Sequence, residues 1–83
     1  MLQHITLEQI IPGQCAVIQG ISAGRELSRR MIAMGLRPGS QLLVLRRAAL
    51  LGPLQVRIGH TEIMIRRGEA AKIWVQPCPG DAA

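Results

Sequence analysis

The side chains able to do chemistry in this chain are few and scattered. Two histidines (His4 and His60), two cysteines (Cys15 and Cys78) and the carboxylates Glu8 and Glu62 are the groups that could ligate a metal ion. Dedicated metal sites gather His and Cys at short spacing, so that one element presents two ligands at once. Only His60 and Glu62 approach this, two residues apart and on one face if a strand begins at His60. They stand as the metal candidates, against the plainer roles of a polar loop tip for His60 and a cross-strand ion pair with Arg57 for Glu62. The expectation is that no cofactor is required and that any transition metal is held weakly or between molecules. Met31, Met34 and Met64 carry soft sulfur, but Met31 and Met34 are spaced as core residues of a helix.

Catalytic constellations are missing. Ser22, Ser28 and Ser40 lack the strand–turn–helix setting of an activated serine. Gly35-Leu36-Arg37-Pro38-Gly39 is not followed by the Lys-Ser/Thr of a phosphate-binding loop. The expectation is a protein that is not an enzyme.

Charge and composition bound the rest. The chain has 83 residues and a formal net charge of +5, with nine arginines and one lysine against five acids. That balance suits an anionic partner or simply a solvated surface. Trp74 is the only aromatic residue, so there are no stacking platforms for bases, and nucleic acid is not expected. With 48% apolar residues and neither Phe nor Tyr, the core must be aliphatic. The longest uncharged run, residues 9–24, is interrupted by Pro12, Gly13, Gly20 and three glutamines, which rules it out as a membrane span. The start of the chain lacks the basic and apolar regions of a secretory signal. A cytoplasmic protein without direct membrane insertion is expected. Cys15 and Cys78 form no framework pattern, and Cys15 reads as a buried free thiol.

These residues must be positioned by one small domain. Residues 7–13 read as an apolar lead-in and turn, and residues 15–21 as a first strand with Cys15, Val17 and Ile21 on one face. Ser22 suits a helix N-cap, and a helix follows over about residues 23–34 with Leu27, Met31 and Met34 as its apolar face. Gly35 stands where a left-handed residue closes a helix, and Pro38-Gly39 makes a turn into a strand at residues 41–47. Residues 54–58 and 61–66 form a hairpin about the two-residue loop Gly59-His60, which fixes the pairs 58/61, 57/62, 56/63, 55/64 and 54/65. A short turn at residues 67–71 leads to a last strand, with Ile73 and Val75 inward. The reading is mainly β with one helix: a small, partly open barrel occupying residues 1–76, with a flexible tail at residues 77–83.

The sequence resembles the FeoA family, the small cytosolic component of bacterial ferrous iron uptake. The likeness covers about residues 7–75. It is carried by the Leu7…Gly13 entry, the arginine-bearing helix ending in Met34-Gly35-Leu36-Arg37-Pro38-Gly39, the Leu50-Leu51-Gly52-Pro53-Leu54 approach, the hairpin, and Glu69-Ala70-Ala71-Lys72-Ile73-Trp74-Val75. The resemblance implies an SH3-like β-barrel with a helical insertion after the first strand. It also implies binding to a membrane ferrous iron permease that carries a cytosolic GTP-binding domain. Recruitment to the inner face of the plasma membrane would then come through that partner, and a weak homo-oligomer is compatible with it.

Leu50, Leu51 and Pro53 would expose apolar area for such a contact unless the leucines cap the open end of the barrel. Arg25, Arg29 and Arg30 on the helix are further partner-binding candidates, and Gly35, Pro38 and Gly39 are structural turn residues. The alternative function is a small barrel associated with nucleic acid or an iron-dependent regulator, using Arg25, Arg29, Arg30, Arg46 and Arg47.

Overall fold

A computed structural model describes residues 5–78. Strands β1 (Ile5–Thr6), β2 (Cys15–Ile21), β3 (Gln41–Arg47), β4 (Leu54–Ile58), β5 (Thr61–Ile65) and β6 (Ile73–Pro77) form one sheet in the order β1-β6-β2-β3-β4-β5. Every neighbouring pair is antiparallel. Helix α1 (Arg25–Ala33) connects β2 to β3, a short helix α2 (Arg67–Ala70) precedes β6, and a 3₁₀ turn at Leu7–Gln9 follows β1. The architecture is the expected small, mainly β SH3-like fold with a helical insertion. The two-residue strand β1 adds a sixth strand that was not anticipated, because a pair of residues carries no periodicity.

The core is aliphatic, as the composition requires. Leu7, Ile10, Ala16, Ile18, Met31, Leu36, Leu42, Val44, Leu54, Val56, Ile65, Ala70, Ile73 and Val75 are buried against one another. The hairpin has the register set by its loop: all five expected pairs form, from Leu54 opposite Ile65 to Ile58 opposite Thr61. Gly59 takes φ +61° and His60 does not follow it to positive φ, the pattern of a type II′ turn.

Two bulges decide which side chains face inward. In β2 the register shifts between Ile18 and Gly20, so Ala16 and Ile18 point into the core and Ile21, beyond the bulge, packs against it as well. Cys15 and Val17 lie on the opposite face, which corrects the single alternating face expected for Cys15, Val17 and Ile21. In β3 the register shifts between Val44 and Arg46, placing Arg47 opposite the buried Leu54. Without that extra residue, strict alternation from Val44 would have turned Arg46 inward.

Helix α1 is shorter than expected at its start. Its N-cap is Gly24, not Ser22, whose amide instead ties the end of β2 to the Lys72 carbonyl at 2.7 Å. The C-terminus closes as anticipated. The Leu36 amide donates to Met31 O at 2.9 Å and the Gly35 amide to Ile32 O at 3.0 Å, with Gly35 at φ +99°. This is a Schellman closure, and its hydrophobic clasp is Met31 against Leu36, both buried. Met34 is the C-cap residue and is exposed, so it leaves the apolar face to Leu27 and Met31. The Ser40 amide then donates to Arg37 O at 3.0 Å, with Gly39 at φ +93°, and the turn is anchored to β2 by the Gly39 amide on Ile18 O at 2.8 Å.

The C-terminal boundary shifts. Pro77 pairs with Ala16, and Cys78 is bonded through its sulfur to Cys15. Both belong to the folded body and not to a tail, and Cys15 is a half-buried disulfide partner instead of a buried free thiol. Residues 79–83 and His4 lie outside the described residues.

Candidate functional site

The loop from β3 to β4 is the most unusual surface of the molecule. Its base is tied by the Ala48 amide donating to Pro53 O at 3.0 Å, and its tip by the Gly52 amide donating to Ala49 O at 3.2 Å. Between these bonds Leu50 and Leu51 take φ +58° and +63°, the only positive φ values among the described non-glycine residues. Two consecutive left-handed residues match a type I′ turn, which Asn-Gly would fill without strain. Here the left-handed backbone costs roughly 1–2 kcal/mol per residue. Burial returns nothing, since Leu50 is 98% exposed and Leu51 68%. Neither side chain caps the barrel. Gly52 is required for packing: a Cβ built there would lie 2.6 Å from the Ala48 Cβ. Pro53 is half-buried at the end of the loop.

Arg25, Arg29 and Arg30 are exposed on α1, opposite the stripe formed by Leu27 and Met31. Among the described residues no carboxylate forms an ion pair with any of them, and the i, i+4 pair Glu26–Arg30 does not close. The exposed Ile32 and Met34 adjoin them at the end of the helix.

Other arginines are occupied. The Arg47 guanidinium, turned inward by the β3 bulge, donates to the carbonyls of Glu8 and of Ile10, the latter at 2.8 Å. It therefore fastens the N-terminal turn to β3 and is withdrawn from the nucleic-acid face proposed from the sequence. Arg67 pairs with Glu8 at 2.6 Å on the same turn. Sequence reasoning missed this fastening, because no motif marks an arginine that a bulge turns inward.

The metal candidates are not assembled. Glu62 accepts from Arg57 at 3.0 Å and from Gln55 at 2.8 Å, the cross-strand arrangement expected from the register. His60 is exposed at the hairpin tip. Among the described residues no three His, Cys, Asp or Glu side chains converge. Met64 is on the outer face of β5 and exposed. Among the described residues no helix is long and apolar enough to cross a membrane.

With this geometry in hand, comparison with known proteins places the chain. The FeoA domain matches residues 5–77. The chain belongs to the FeoA domain family. It is similar to the FeoA protein from Chlorobium tepidum, at 32% identity and a TM-score of 0.85 over 95% of this chain and 75% of that one. An iron uptake regulatory protein, also a FeoA, aligns at 26% identity and a TM-score of 0.82, over 93% of this chain and all of the other. A manganese-dependent transcriptional repressor shares the fold at 24% identity and a TM-score of 0.85, and the chain spans 43% of its length. FeoA of Stenotrophomonas maltophilia, a prokaryotic SH3 domain protein crystallised with zinc, aligns at 24% identity and a TM-score of 0.75, over 87% of this chain and 89% of that one. No curated protein matches the chain.

Proposed function

We propose that this FeoA-family protein is a non-catalytic accessory of bacterial ferrous iron uptake. In this reading it works in the cytoplasm by binding the cytosolic, GTP-binding part of a membrane ferrous iron permease. The observation that carries the reading is the Leu50-Leu51 turn: two leucines held out to solvent on a strained backbone, where neither local chemistry nor packing favours them. Strain without local return is expected where a partner later buries the side chains. Arg25, Arg29 and Arg30 form a second, electrostatic part of the contact. The protein needs no resident metal, and any GTP hydrolysis belongs to the partner.

The decisive experiment replaces Leu50-Leu51 with Asn-Gly. This pair satisfies the turn and removes both apolar anchors, so folding and binding separate. Titration against the permease's cytosolic domain should show at least a tenfold loss of affinity with the fold intact. Unchanged binding would move the interface away from this loop. The repressor's likeness to this chain carries the fold alone, and the nucleic-acid alternative has lost Arg47 to the N-terminal turn.

A further inference from the structure

Cys15 opens β2 and Cys78 follows the last residue of β6. Ala16 faces Pro77 across the antiparallel pair, so the next residues outward, Cys15 and Cys78, face each other. Their Cα atoms are 5.4 Å apart, within disulfide reach, and the Cys78 amide donates to Cys15 O at 3.1 Å. The backbone ladder itself therefore holds the two cysteines in register.

Two further observations bear on how the pair is reached and on what else holds the strands it joins. Cys15 lines an open depression of about 410 Å³, together with Gln41, Leu42, Leu43, Arg57 and Gly59. Cys15 faces Leu43 and Leu43 faces Arg57, so this is the outer face of β2, β3 and β4. The depression opens to solvent beside the half-buried Cys15. Neither cysteine belongs to the buried core, and β6 is held to β2 from Ile73 to Pro77 by a backbone pairing that does not itself involve the sulfurs.

We propose that Cys15 and Cys78 form a reversible thiol–disulfide exchange site for low-molecular-weight thiols and disulfides, which locks or releases the C-terminal end of β6. In the oxidising direction the Cys15 thiolate attacks one sulfur of a small disulfide. One small thiolate leaves, and a mixed disulfide remains on Cys15. The Cys78 thiolate then attacks the Cys15 sulfur, expels the second small thiolate and closes the Cys15–Cys78 bond. The two protons lost by the cysteines end on the two small thiols, and the two electrons lost by the protein reduce the small disulfide. Reduction is the reverse. In a reducing compartment the pair rests as two thiols and registers an oxidative change. This inference is independent of any iron-transport partner.

The test equilibrates the full chain, without oxygen, in glutathione buffers graded from reduced to oxidised. Acid quenching, alkylation of free thiols and intact mass then report the state. The expected result is conversion between a doubly alkylated and an unalkylated monomer within that range, with the reduced form still melting cooperatively at a Tm lower by on the order of 10 °C. With Cys78→Ser, oxidised glutathione should leave a stable adduct on Cys15. With Cys15→Ser, the adduct on Cys78 should form several-fold more slowly. Thiols that stay free across the range, dominance of disulfide-linked dimers, loss of the cooperative melt on reduction, or equal adduct rates at the two positions would each overturn the proposal.

Discussion

Two turns of this molecule face the same conformational demand and answer it differently. At the β4–β5 hairpin, the residue that needs positive φ is glycine, and the strands on either side pair without error. At the β3–β4 loop, two positions need positive φ and both are leucines, exposed to solvent. The first turn minimises its own free energy and sets a register. The second gives up local stability and gains apolar surface. A sequence optimised only for folding would not place Leu-Leu there, and the difference marks where selection acts on something other than the fold.

The contrast can be broken at several points. The largest effect belongs to a left-handed residue outside both turns, Gly35, whose closure of α1 is tied to the Met31–Leu36 clasp. Gly35→Val should cost about 2–3 kcal/mol, since a β-branched residue is strained at this φ even though the nearest atom to a built Cβ, on Ile58, is 3.8 Å away. A thermal melt indistinguishable from wild type would mean that the helix end is not set by Gly35.

Making the good turn resemble the bad one comes next. Gly59→Leu should lose roughly 1–2 kcal/mol, read from denaturant midpoints at constant m-value. Making the bad turn good is the converse test: Leu50→Asn with Leu51→Gly should gain about 1 kcal/mol, seen as a Tm raised by several degrees. A fall in Tm would show that the leucines support the loop after all. The smallest expected effect is that of chelation. Treatment with a strong chelator should leave Tm unchanged, because a structural metal would couple to folding. A large drop that disappears in His60→Ala or Glu62→Ala would assign the protein a resident metal.

How much could be read from the residues follows from the range of the interactions. The hairpin was legible in full because a two-residue loop dictates every pair beyond it. The helix end was legible because glycine, leucine and the preceding turn are adjacent in sequence. The bulges after Ile18 and Val44 were not read from the sequence: the second carries no compositional mark, the first only Gly20 inside the strand, and each inverts the alternation that follows. For this reason Ile21 and Arg47 face the core side, against strict alternation from Ile18 and Val44. The Cys15–Cys78 pairing spans 63 residues and exists only because β6 lies beside β2, an adjacency no local pattern encodes. Of the candidate contact residues, exposure of the leucines was foreseen as one of two outcomes. Their left-handed backbone was not.

The place of β6 between β1 and β2 also governs how the molecule is made. On a ribosome, the meander β3–β4–β5 can close as soon as residue 65 has emerged, since its partners are sequential. The strand at residues 5–6 has no neighbour until residues 74 and 75 arrive. Residues 5 and 6 are thus made before the meander but fixed after it, and the sheet is completed on a preformed β3–β4–β5 meander by a late, long-range closure. A nascent chain halted before Ile73 would carry β1 and one edge of β2 unpaired, open to any other strand it meets.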